Sequence, residues 1–468
     1  MRFLGTRHIH FVGIGGIGMS GIAEVLCNLD YRVSGSDLRA SSTTRRLEEL
    51  GIKVHVGHDP AHIEGAHVVV RSSAVGLENS EVAAAVGAGI PVIPRAEMLA
   101  ELMRMKHGVA VAGTHGKTTT TSLLAAIFAA GGLDPTVVVG GKLNSVGSNA
   151  VLGRGEWLVA EADESDGSFL KLSPTLSIVT NIDPEHLDHY GSEPALVEAF
   201  LEFINKVPFY GAAALCLDHP TIQGLLPRVC KRYLTYGFTS QAELRAVDPR
   251  VEGTTSSFSV VRGEEFLGPI RLGMPGRHNI LNALAATAVA LEAGIPFALI
   301  QQALERFEGV QRRFTLRGEA GGVTVIDDYA HHPAEIRATL AAARESYGRR
   351  VVAVWQPHRY SRTVELHEEF MSAFNDCSLL LVMDVYAAGE AAVPGVDAAT
   401  LSRDLSQHGH KGVLPCADEA AVLDALGKRA RKGDVVLTLG AGDVTNISHQ
   451  LVDVLDAKGP PTLELDGL

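Results

Sequence analysis

Short runs of β-branched residues alternate with longer stretches rich in alanine and leucine along most of this chain. His8–Val12, Val109–Ala112 and Val351–Trp355 predict strands, whereas Ile17–Leu29 and Lys117–Ala130 predict helices. Parallel strands need a long crossover connection that is usually helical, so this alternation indicates parallel sheets covered by helices. We therefore predict the α/β fold class and exclude an all-β sandwich.

The chain length predicts several domains of this kind. At ~100–200 residues per domain, 468 residues correspond to two to four domains, with three as the central value. A second strand–helix series opens at Val109 and a third at Val323, and between them Arg245–Arg271 has the pattern of antiparallel strands. We place the domains at residues 1–107, 108–312 and 313–468.

The charge balance and the cysteines restrict the class of function. Lys and Arg total 41 against 54 Asp and Glu, and the net charge of −13 argues against nucleic acid or an anionic membrane as the main partner. No apolar run approaches the ~18 residues of a membrane span. The five cysteines are scattered and never form a C-x-x-C pair, which is typical of reduced thiols. We expect a cytoplasmic protein that binds neither nucleic acid nor membranes.

A first glycine-rich loop follows the strand His8–Val12. Gly13 to Gly18 matches G-x-G-x-x-G and opens a helix, and Asp37 lies 19 residues beyond Gly18. In this context the glycines admit a pyrophosphate to a helix N-terminus, and the acid binds a ribose hydroxyl. NAD and a UDP-sugar both carry these groups, and a tight turn without a ligand has the same pattern. The loop alone leaves all three interpretations open.

A second glycine-rich loop, Gly113–Thr120 (GTHGKTTT), follows Val109–Ala112 and opens the helix predicted from Lys117. The N–H groups of such a turn, the helix dipole and the lysine ammonium bind the β- and γ-phosphates of a nucleoside triphosphate, and the Thr118 hydroxyl is a ligand for Mg²⁺. Val111 stands where the general P-loop pattern has its first glycine. A hydride-transfer enzyme needs no triphosphate site, so this loop favours an ATP-consuming protein.

Two polar segments follow predicted strands of the same block. Glu161 ends the strand Trp157–Glu161, and His186 follows Ser177–Ile182. Because the carboxyl ends of parallel strands meet at one edge of a sheet, we expect both side chains to lie near Lys117. Carboxylate and hydroxyl oxygens suit Mg²⁺, whereas an imidazole is an unusual ligand for this ion. His186 alone is equally consistent with an ordinary loop histidine.

Seven motifs, between His8 and about Ile447, resemble in order those of the Mur ligase family. They are GIGGIGMSG (Gly13–Gly21), GTHGKTTT (Gly113–Thr120), EADESDGSF (Glu161–Phe169), NIDPEHLD (Asn181–Asp188), GRHNILN (Gly276–Asn282), DDYAHHP (Asp327–Pro333) and QPHRYSRT (Gln356–Thr363). The resemblance implies three domains. These are an N-terminal Rossmann-like domain for a UDP-sugar, a central P-loop-type ATPase with a parallel sheet, and a C-terminal Rossmann-like domain for the incoming amino acid.

The resemblance also assigns site residues, position by position. The UDP-sugar site would comprise Gly15, Gly16, Gly18, Asp37, Ser72 and Ser73. The ATP site would comprise Gly113, Thr114, His115, Gly116, Lys117, Thr118, Thr119, His278, Asn279, Asn282, Arg313 and Asp328. The Mg²⁺ ligands would be Thr118, Glu161 and His186. The amino-acid site would comprise Tyr329, His331, His358 and Arg359, and the catalytic residues would be Lys117, His186, His331 and Arg359.

Ordinary structural roles remain open for several of these residues. Asn279 and Asn282 are equally suited to capping the alanine-rich helix that they open. The pair His331-His332 is consistent with simple loop polarity before Pro333. Arg359 alone is consistent with a surface salt bridge.

Within the family, the motifs are most similar to those of the branch that joins L-alanine to UDP-N-acetylmuramate in peptidoglycan synthesis. The resemblance implies that ATP, with two Mg²⁺ ions, phosphorylates the lactyl carboxylate, and that the neutral amine of L-alanine attacks this acyl phosphate. His331 and His186 are both candidates for the base that deprotonates the amine. Several relatives that add other amino acids use a carbamylated lysine after the NIDPEHLD-type motif. Ala195–Phe203 contains no lysine, so we predict no carbamate.

Three other functions are compatible with parts of the sequence. An NAD-dependent dehydrogenase explains the first glycine loop only, and a P-loop regulatory ATPase explains the second only. A ligase that recycles a preformed peptide onto UDP-N-acetylmuramate shares the DDYAHHP-type region but usually differs from GIGGIGMSG at the first loop. We expect either a monomer or a homodimer.

Overall fold

In the computed structural model, the chain is described at residue 3 and over residues 5–72, 74–139 and 150–458. These ranges carry three β-sheets with helices between the strands, so the predicted α/β class is confirmed. Ser73, which the resemblance assigns to the UDP-sugar site, lies outside the described residues. Within the described ranges, no helix combines the length and the hydropathy that crossing a membrane requires.

The internal contacts of the chain divide it into two compact units. The first unit comprises Met1–Val247, Ser259–Ile270 and Leu281–Val310, and the second comprises Asp248–Phe258, Arg271–Ile280 and Gln311–Leu468. Below, the part of the chain that carries the first sheet is called the N-terminal domain, and the part that carries the second sheet, which includes the two short segments 248–258 and 271–280 of the second unit, is called the central domain. The part of the second unit that carries the third sheet is called the C-terminal domain.

The N-terminal domain contains a parallel sheet. Its strands are β1 (His8–Val12), β2 (Arg32–Asp37), β3 (Lys53–Val56), β4 (Val68–Arg71) and β5 (Val92–Pro94). Its helices are α1 (Ile17–Asn28), α2 (Ser42–Glu49), α3 (Ser80–Gly87) and α4 (Arg95–Arg104), with a 3₁₀ turn at Pro60–Ile63. The strand order is β3-β2-β1-β4-β5, so the chain reverses direction across the sheet between β1 and β4. Ligands of open α/β sheets bind at such a switch point.

Glu81, in the first turn of α3, is a buried carboxylate on one face of this sheet. Its Oε1 lies 2.6 Å from Nδ1 of His62, its Oε2 lies 3.4 Å from Nε2 of His10, and the Ser36 hydroxyl donates to Oε2. Burial alone would raise the pKa of Glu81, but these hydrogen bonds lower it to about 2. The ionised carboxylate therefore links α3 to β1 and β2.

The central domain is built around the second sheet. Its strands are β6 (His107–Ala112), β7 (Thr136–Val138), β8 (Ala150–Val151), β9 (Trp157–Glu161), β10 (Leu176–Val179), β11 (Ala212–Cys216), β12 (Tyr233–Gly237), β13 (Leu244–Glu252), β14 (Thr255–Arg262) and β15 (Glu265–Leu272). Its helices are α5 (Lys117–Ala130), α6 (Leu187–Tyr190), α7 (Glu193–Ile204), α8 (Pro220–Leu225), α9 (Arg277–Glu292) and α10 (Phe297–Glu305). Two 3₁₀ turns lie at Ser168–Lys171 and Leu226–Arg228.

The strand order of this sheet is β15-β14-β13-β12-β11-β10-β6-β9-β7-β8. β6 lies between β10 and β9 and is parallel to both, whereas β8 is antiparallel to β7. The second glycine loop therefore leaves the sheet at a second switch point, flanked by the carboxyl ends of β9 and β10.

The strand predicted at Ser177–Ile182 is observed one residue earlier and ends at Val179, as β10. Thr180 and Asn181 leave the strand because their side chains bond the second glycine loop. The Thr180 hydroxyl donates to the carbonyl of His115 at 2.6 Å, and Oδ1 of Asn181 accepts from its N–H at 2.7 Å. The apolar pattern alone could not show this shorter strand.

The C-terminal domain carries the third sheet. Its strands are β16 (Thr315–Ala320), β17 (Val323–Asp328), β18 (Val351–Trp355), β19 (Leu379–Met383), β20 (Val413–Cys416) and β21 (Val435–Leu439). Its helices are α11 (Pro333–Tyr347), α12 (Tyr360–Glu365), α13 (His367–Met371), α14 (Ala398–Gln407), α15 (Glu419–Arg429) and α16 (Thr445–Lys458). The strand order is β16-β17-β21-β18-β19-β20, with β16 antiparallel to β17 and the other pairs parallel.

The sequence pattern of residues 363–374 predicts one continuous helix, but this part of the chain forms two short helices, α12 and α13, which meet at Leu366. Leu366 has φ −103° and ψ 24°, outside the helical region. Its side chain is buried in the same apolar cluster as Phe370, Phe374 and Trp355. Tertiary packing around Trp355 therefore overrides a continuous helical pattern.

The two tryptophans of the chain lie in different units. Trp157, the first residue of β9, makes an edge-to-face contact with Phe128 at 5.2 Å between ring centroids. Trp355, the last residue of β18, is fully buried, with Phe370 and Phe374 each 4.8 Å away between centroids. Each tryptophan is therefore part of the packing of its own unit.

Candidate active site

The first glycine loop is held by the end of β2. The N–H groups of Gly13 and Ile14 both donate to the carbonyl of Ser36, at 2.9 Å each, and the N–H of Gly15 donates to Oδ2 of Asp37 at 2.9 Å. A Cβ on Gly15 would lie 2.8 Å from that oxygen, so this close approach requires glycine. The structure thus brings Asp37 to the loop, as the motif requires. The part of Gly15 and Asp37 in binding a UDP-sugar stays a prediction.

The same carboxyl edge carries Arg95, the first residue of α4. Its guanidinium lies against Gly18 so closely that a Cβ there would come within 2.8 Å of a guanidinium nitrogen. The other terminal nitrogen of Arg95 lies 3.5 Å from Oδ2 of Asp163 in the central domain. Gly16 is the N-cap of α1, and Ser72 directly follows β4. The predicted UDP-sugar residues that the structure describes therefore share one sheet edge with a cation.

The second glycine loop is packed too tightly for side chains at two positions. Gly113 has φ +130°, and a Cβ there would lie 2.0 Å from Oγ1 of Thr180. Gly116 has φ +82°, and its Cβ would lie 2.6 Å from Oδ1 of Asn282. Both positions therefore require glycine. Asn282, predicted for the ATP site, lies against this loop.

Residues that follow β10 bond the backbone of this loop. The N–H of Thr114 donates to the Asn181 carbonyl at 3.2 Å, and Oδ1 of Asn181 accepts from the N–H of His115 at 2.7 Å. The Asp183 N–H donates to Oγ1 of Thr114 at 2.9 Å. The N–H groups of Thr114 and His115 are thus engaged within the protein, whereas the N–H groups in the first turn of α5 have no partner within the helix and suit an anion.

Lys117, the first residue of α5, makes three hydrogen bonds through its ammonium group. The acceptors are the carbonyls of Gly113 and Thr114, at 2.6 and 3.1 Å, and Oε1 of the buried Glu164, at 2.7 Å. Burial disfavours the ammonium, but the Glu164 carboxylate outweighs it and raises the pKa of Lys117. Burial raises the pKa of Glu164, although the Lys117 ammonium opposes this shift. The second glycine loop thus holds the Lys117 ammonium against its own carbonyls.

The three predicted Mg²⁺ ligands follow strands of this sheet or open a helix beside it. Thr118 is partly exposed in the first turn of α5, next to the buried Thr119, and Glu161 is the last residue of β9. His186 precedes α6 with φ +58°, and its Nε2 lies 3.9 Å from Oε1 of Glu164. A hydroxyl and a carboxylate suit Mg²⁺, so the donor chemistry fits the ion, with the imidazole as the unusual member.

In the second unit, Asp328 ends β17 and bonds the backbone on both sides of it. The carboxylate accepts from the N–H of Phe314 at 2.6 Å and from the N–H of Ala330 at 2.8 Å. Burial raises the pKa of Asp328 to about 6, although Arg313 and these hydrogen bonds oppose the shift. NH1 of Arg313 lies 3.6 Å from Oε1 of Glu335. Asp328 and Arg313, both predicted for the ATP site, are neighbours, because Asp328 bonds the N–H of the residue that follows Arg313.

Three residues predicted for the amino-acid site form a group of rings. The ring centroids of Tyr329 and His331 lie 5.3 Å apart, and those of His331 and His358 lie 5.9 Å apart. The guanidinium carbons of Arg312 and Arg313 lie 4.9 and 5.3 Å from the centroid of Tyr329. The structure therefore brings these rings together beside two cations.

The two histidines of this group differ in environment. Nδ1 of His331 lies 3.0 Å from the carbonyl of Tyr329, and a hydrogen bond to this acceptor assigns the proton of the neutral ring to Nδ1. Burial, with the positive charges of Arg362 and Arg359 and of His331 when it is protonated, lowers the pKa of His358 to about 4. His358 is therefore neutral at pH 7, and the basic lone pair of neutral His331 is on Nε2.

Three further predicted residues lie at helix starts of this unit. The side chain of Arg359 is exposed, and the residue precedes α12 with φ +71°. His278 and Asn279 lie in the first turn of α9, where the side-chain amide of Asn279 donates to the Pro275 carbonyl at 2.8 Å. Burial, with Arg313, lowers the pKa of His278 to about 4. In this bond the Asn279 side chain donates to a carbonyl, whereas a cap of α9 would need its side-chain oxygen to accept from a helix N–H, so the bond does not decide between the two roles.

Models of known protein families match three consecutive segments of the chain. Residues 8–107 match the catalytic domain of the Mur ligase family, residues 111–290 match the Mur ligase middle domain, and residues 312–442 match the Mur ligase glutamate ligase domain. The chain belongs to the Mur ligase family. The resemblance found in its motifs is thereby confirmed.

Relatives of this Mur ligase match it over nearly its whole length. A protein named UDP-N-acetylmuramate–L-alanine ligase from Anaeromyxobacter sp. (strain Fw109-5) is 58% identical over 449 residues, which cover 96% of this chain and 98% of the relative. A protein of the same name from Myxococcus xanthus (strain DK1622) is 56% identical over 453 residues, which cover 96% of each chain.

Solved structures of other Mur ligases have the same architecture. A UDP-N-acetylmuramate-alanine ligase from Thermotoga maritima is similar with a TM-score of 0.79 and 29% identity, covering 96% of this chain and 99% of its own. A murein peptide ligase from Psychrobacter arcticus is similar with a TM-score of 0.67 over the same shares, but its 23% identity is evidence for the fold alone.

Two residues of the candidate site, Arg95 and Glu164, were not predicted from the sequence of this Mur ligase. Arg95 directly follows a short strand of the first parallel sheet, and a basic residue at that place was a usable signal. Glu164 lies in a run with three other acidic residues, Glu161, Asp163 and Asp166. No pattern in this run shows which member the fold buries beside Lys117.

Proposed function

We propose that this Mur ligase joins L-alanine to the lactyl carboxylate of UDP-N-acetylmuramate and converts ATP to ADP and phosphate, as a step of peptidoglycan synthesis. The observation that carries the proposal is the Lys117 loop on the central sheet, which suits a nucleoside triphosphate. The 58% identity to a protein named for this reaction supports the choice of substrates. A dehydrogenase has no use for the Lys117 loop, and a regulatory ATPase has no use for the loop of the first sheet.

The acid must be activated before an amide can form, because a carboxylate is a poor electrophile and oxide is a poor leaving group. Transfer of the γ-phosphoryl group to the lactyl carboxylate gives an acyl phosphate and ADP. In this step Lys117 and the first turn of α5 would hold the β- and γ-phosphates and stabilise their charge. Bound Mg²⁺, expected as two ions with Thr118, Glu161 and His186 as protein ligands, would neutralise further charge on the phosphates.

The amine of L-alanine must lose a proton before it attacks the acyl phosphate, because it is mainly an ammonium ion near neutral pH. His331 suits this role, since its bond to the Tyr329 carbonyl leaves Nε2 with the lone pair. His186, beside Glu164, is the second candidate. We assign the planar guanidinium of Arg359 to the carboxylate of L-alanine, which it suits in a bidentate contact.

The UDP-sugar would bind at the carboxyl edge of the first sheet, where the N-terminus of α1 offers N–H groups to a diphosphate. We propose domain boundaries at residues 1–107, 108–312 and 313–468. The scattered cysteines and the use of ATP support a cytoplasmic enzyme, and the net charge of −13 supports small-molecule partners rather than nucleic acid or a membrane. The enzyme would act as a monomer or a homodimer.

The experiment that tests this function is phosphate release from ATP with Mg²⁺, against a panel of amino acids and a preformed peptide, with and without UDP-N-acetylmuramate. We expect release only when both L-alanine and UDP-N-acetylmuramate are present. Release with the preformed peptide but not with L-alanine would identify a recycling ligase instead. Release that needs no UDP-sugar would show that the protein is not a ligase of this kind.

A further inference from the structure

The ammonium group of Lys117 is fully engaged in this structure. Its three acceptors are the carbonyls of Gly113 and Thr114 and Oε1 of Glu164, at 2.6, 3.1 and 2.7 Å. An ammonium has three N–H donors, so each donor has an acceptor within the protein. A nucleotide phosphate must displace one of these acceptors before it can bond Lys117. Among the three, only Glu164 is charged.

Glu164 has a second feature that points to a ligand. The residue is 1% exposed, and its other carboxylate oxygen, Oε2, has no hydrogen-bond partner among the described residues. A buried oxygen of this kind costs free energy unless a donor or a cation meets it. The nearest imidazole nitrogen, Nε2 of His186, lies 3.9 Å from Oε1. The carboxylate is therefore only partly compensated inside the loop.

Two neighbouring acidic residues add negative charge close to Glu164. Asp163 precedes Glu164 in the chain and forms an ion pair at 3.5 Å with Arg95, and the carboxylate of Glu185 lies 3.9 Å from Nε2 of His186. A metal-free nucleoside triphosphate that enters this place brings several negative charges toward these carboxylates and competes with Glu164 for Lys117. A triphosphate that carries Mg²⁺ brings a cation to the same carboxylates.

We propose that Glu164 makes this loop discriminate between magnesium-bound and metal-free ATP. The proposal rests on the assignment of the loop to ATP in the proposed function, and it gives a role to a residue outside the predicted site. Glu164 acts as a specificity-determining residue through its charge, while its hydrogen bond positions Lys117. A purely structural ion pair would hold Lys117 equally well but would not distinguish the two forms of the nucleotide.

The test compares Glu164→Gln with the wild-type chain by calorimetric titration with ATP, once with excess Mg²⁺ and once with EDTA. Glutamine has the shape of glutamate and keeps an oxygen that accepts from Lys117, but it removes the charge. We expect the dissociation constant for metal-free ATP, divided by that for magnesium-bound ATP, to fall by roughly tenfold or more in the variant. The main reason is that the variant binds metal-free ATP more tightly. Asp166→Asn is the matched control, because Asp166 is an exposed acid of the same loop. Its ratio should match the wild type.

The other outcomes are distinguishable. Equal weakening of both forms of ATP in Glu164→Gln would mean that Glu164 only positions Lys117, and would overturn the proposal. Failure of the wild-type chain to bind ATP in either form would overturn the assignment of the loop itself. Glu164→Asp, which withdraws the carboxylate by one methylene, should give an intermediate ratio. A wild-type ratio in Glu164→Asp, should Glu164→Gln not fold, would also contradict the proposal.

Discussion

Lys117 is the residue on which the phosphate assignment depends most directly. Its ammonium is held at the base of the second glycine loop by two carbonyls and by Glu164. Lys117→Ala removes this cation from the loop, so we expect turnover to fall roughly 10³-fold or more. Steady-state phosphate release with ATP, L-alanine and UDP-N-acetylmuramate measures the loss.

Lys171→Ala is the control for the Lys117 variant. Lys171 is a half-exposed lysine of the same domain whose Nζ pairs with Glu97 at 3.3 Å. An exposed pair of this kind contributes little to stability, so its loss should leave turnover near the wild-type value. Near-normal turnover in Lys117→Ala would remove the loop from the active site.

Glu81 makes the stability of the N-terminal domain depend on pH. Its pKa is lowered from 4.5 to about 2 in the folded chain by hydrogen bonds from His10, Ser36 and His62. A lowered carboxyl pKa adds stability that is present above pH 4.5 and is lost as the pH falls toward 2, here about 3 kcal/mol. We expect Glu81→Gln to lower the free energy of unfolding by this amount at pH 7. Below pH 4.5 the free energies of unfolding of the variant and the wild type should converge.

Hydrogen exchange of the β1 amides, measured across this pH range, gives the local free energy of unfolding. Glu49 is an exposed glutamate of the same domain, so Glu49→Gln should change neither the free energy of unfolding nor its dependence on pH. A loss for Glu81→Gln that is the same at every pH would show that packing, and not the charge, accounts for it.

At the scale of secondary-structure elements, Arg95 contacts two elements in addition to its own helix. It opens α4, lies against Gly18 in the first turn of α1, and forms an ion pair with Asp163 in the loop after β9. Because its guanidinium lies where the N-terminus of α1 would meet a diphosphate, we expect Arg95→Ala to raise the apparent KM for UDP-N-acetylmuramate about tenfold or more. The KM for ATP should change less.

Steady-state kinetics with each substrate varied in turn checks this expectation. Arg104→Ala removes the same group from the other end of α4, where Arg104 pairs with Glu101, and should change neither constant. An unchanged KM for the UDP-sugar in Arg95→Ala would leave Arg95 as a structural link between α1, α4 and the loop after β9.

The sequence was most informative for elements whose pattern is local. The buried strands β1, β9 and β18 and the helix α5 have the predicted bounds, because runs of β-branched residues and a glycine loop before a helix are sufficient signals. β10 ends early and the predicted helix after β18 is broken, because distant groups decide both. The partners are the second glycine loop in one case and Trp355 in the other.

The same distinction applies to the candidate site. Glycine spacing was sufficient to predict that Asp37 and Lys117 contact their glycine loops, and their part in binding ligands stays a prediction. Glu164 was not found, because its burial depends on how the loop after β9 folds onto α5. Arg95 was not found because its contact with Gly18 joins two helices that are far apart in the sequence.

At the scale of the whole molecule, the division into two units predicts how a ligand spreads its stabilising effect. A ligand stabilises the structure that binds it, by an amount that depends on its concentration relative to its dissociation constant. UDP-N-acetylmuramate alone should therefore slow hydrogen exchange in β1, β2 and α1, and leave exchange in β18, β19 and β21 unchanged. Mass spectrometry of peptides from each sheet measures both. Equal protection of the third sheet would place part of the sugar-nucleotide site in the second unit.

The division of the two tryptophans gives each unit its own fluorophore. Trp355 is fully buried and its indole N–H has no hydrogen-bond partner among the described residues, so its emission should lie at short wavelength. Trp157 is partly exposed, and its ring centroid lies 5.3 Å from that of His107, an imidazole that quenches indole emission when protonated. Replacing either tryptophan by phenylalanine leaves a single indole, which can be excited selectively over the tyrosines. The thermal unfolding of each unit of this enzyme can then be followed by intrinsic tryptophan fluorescence, without an added label.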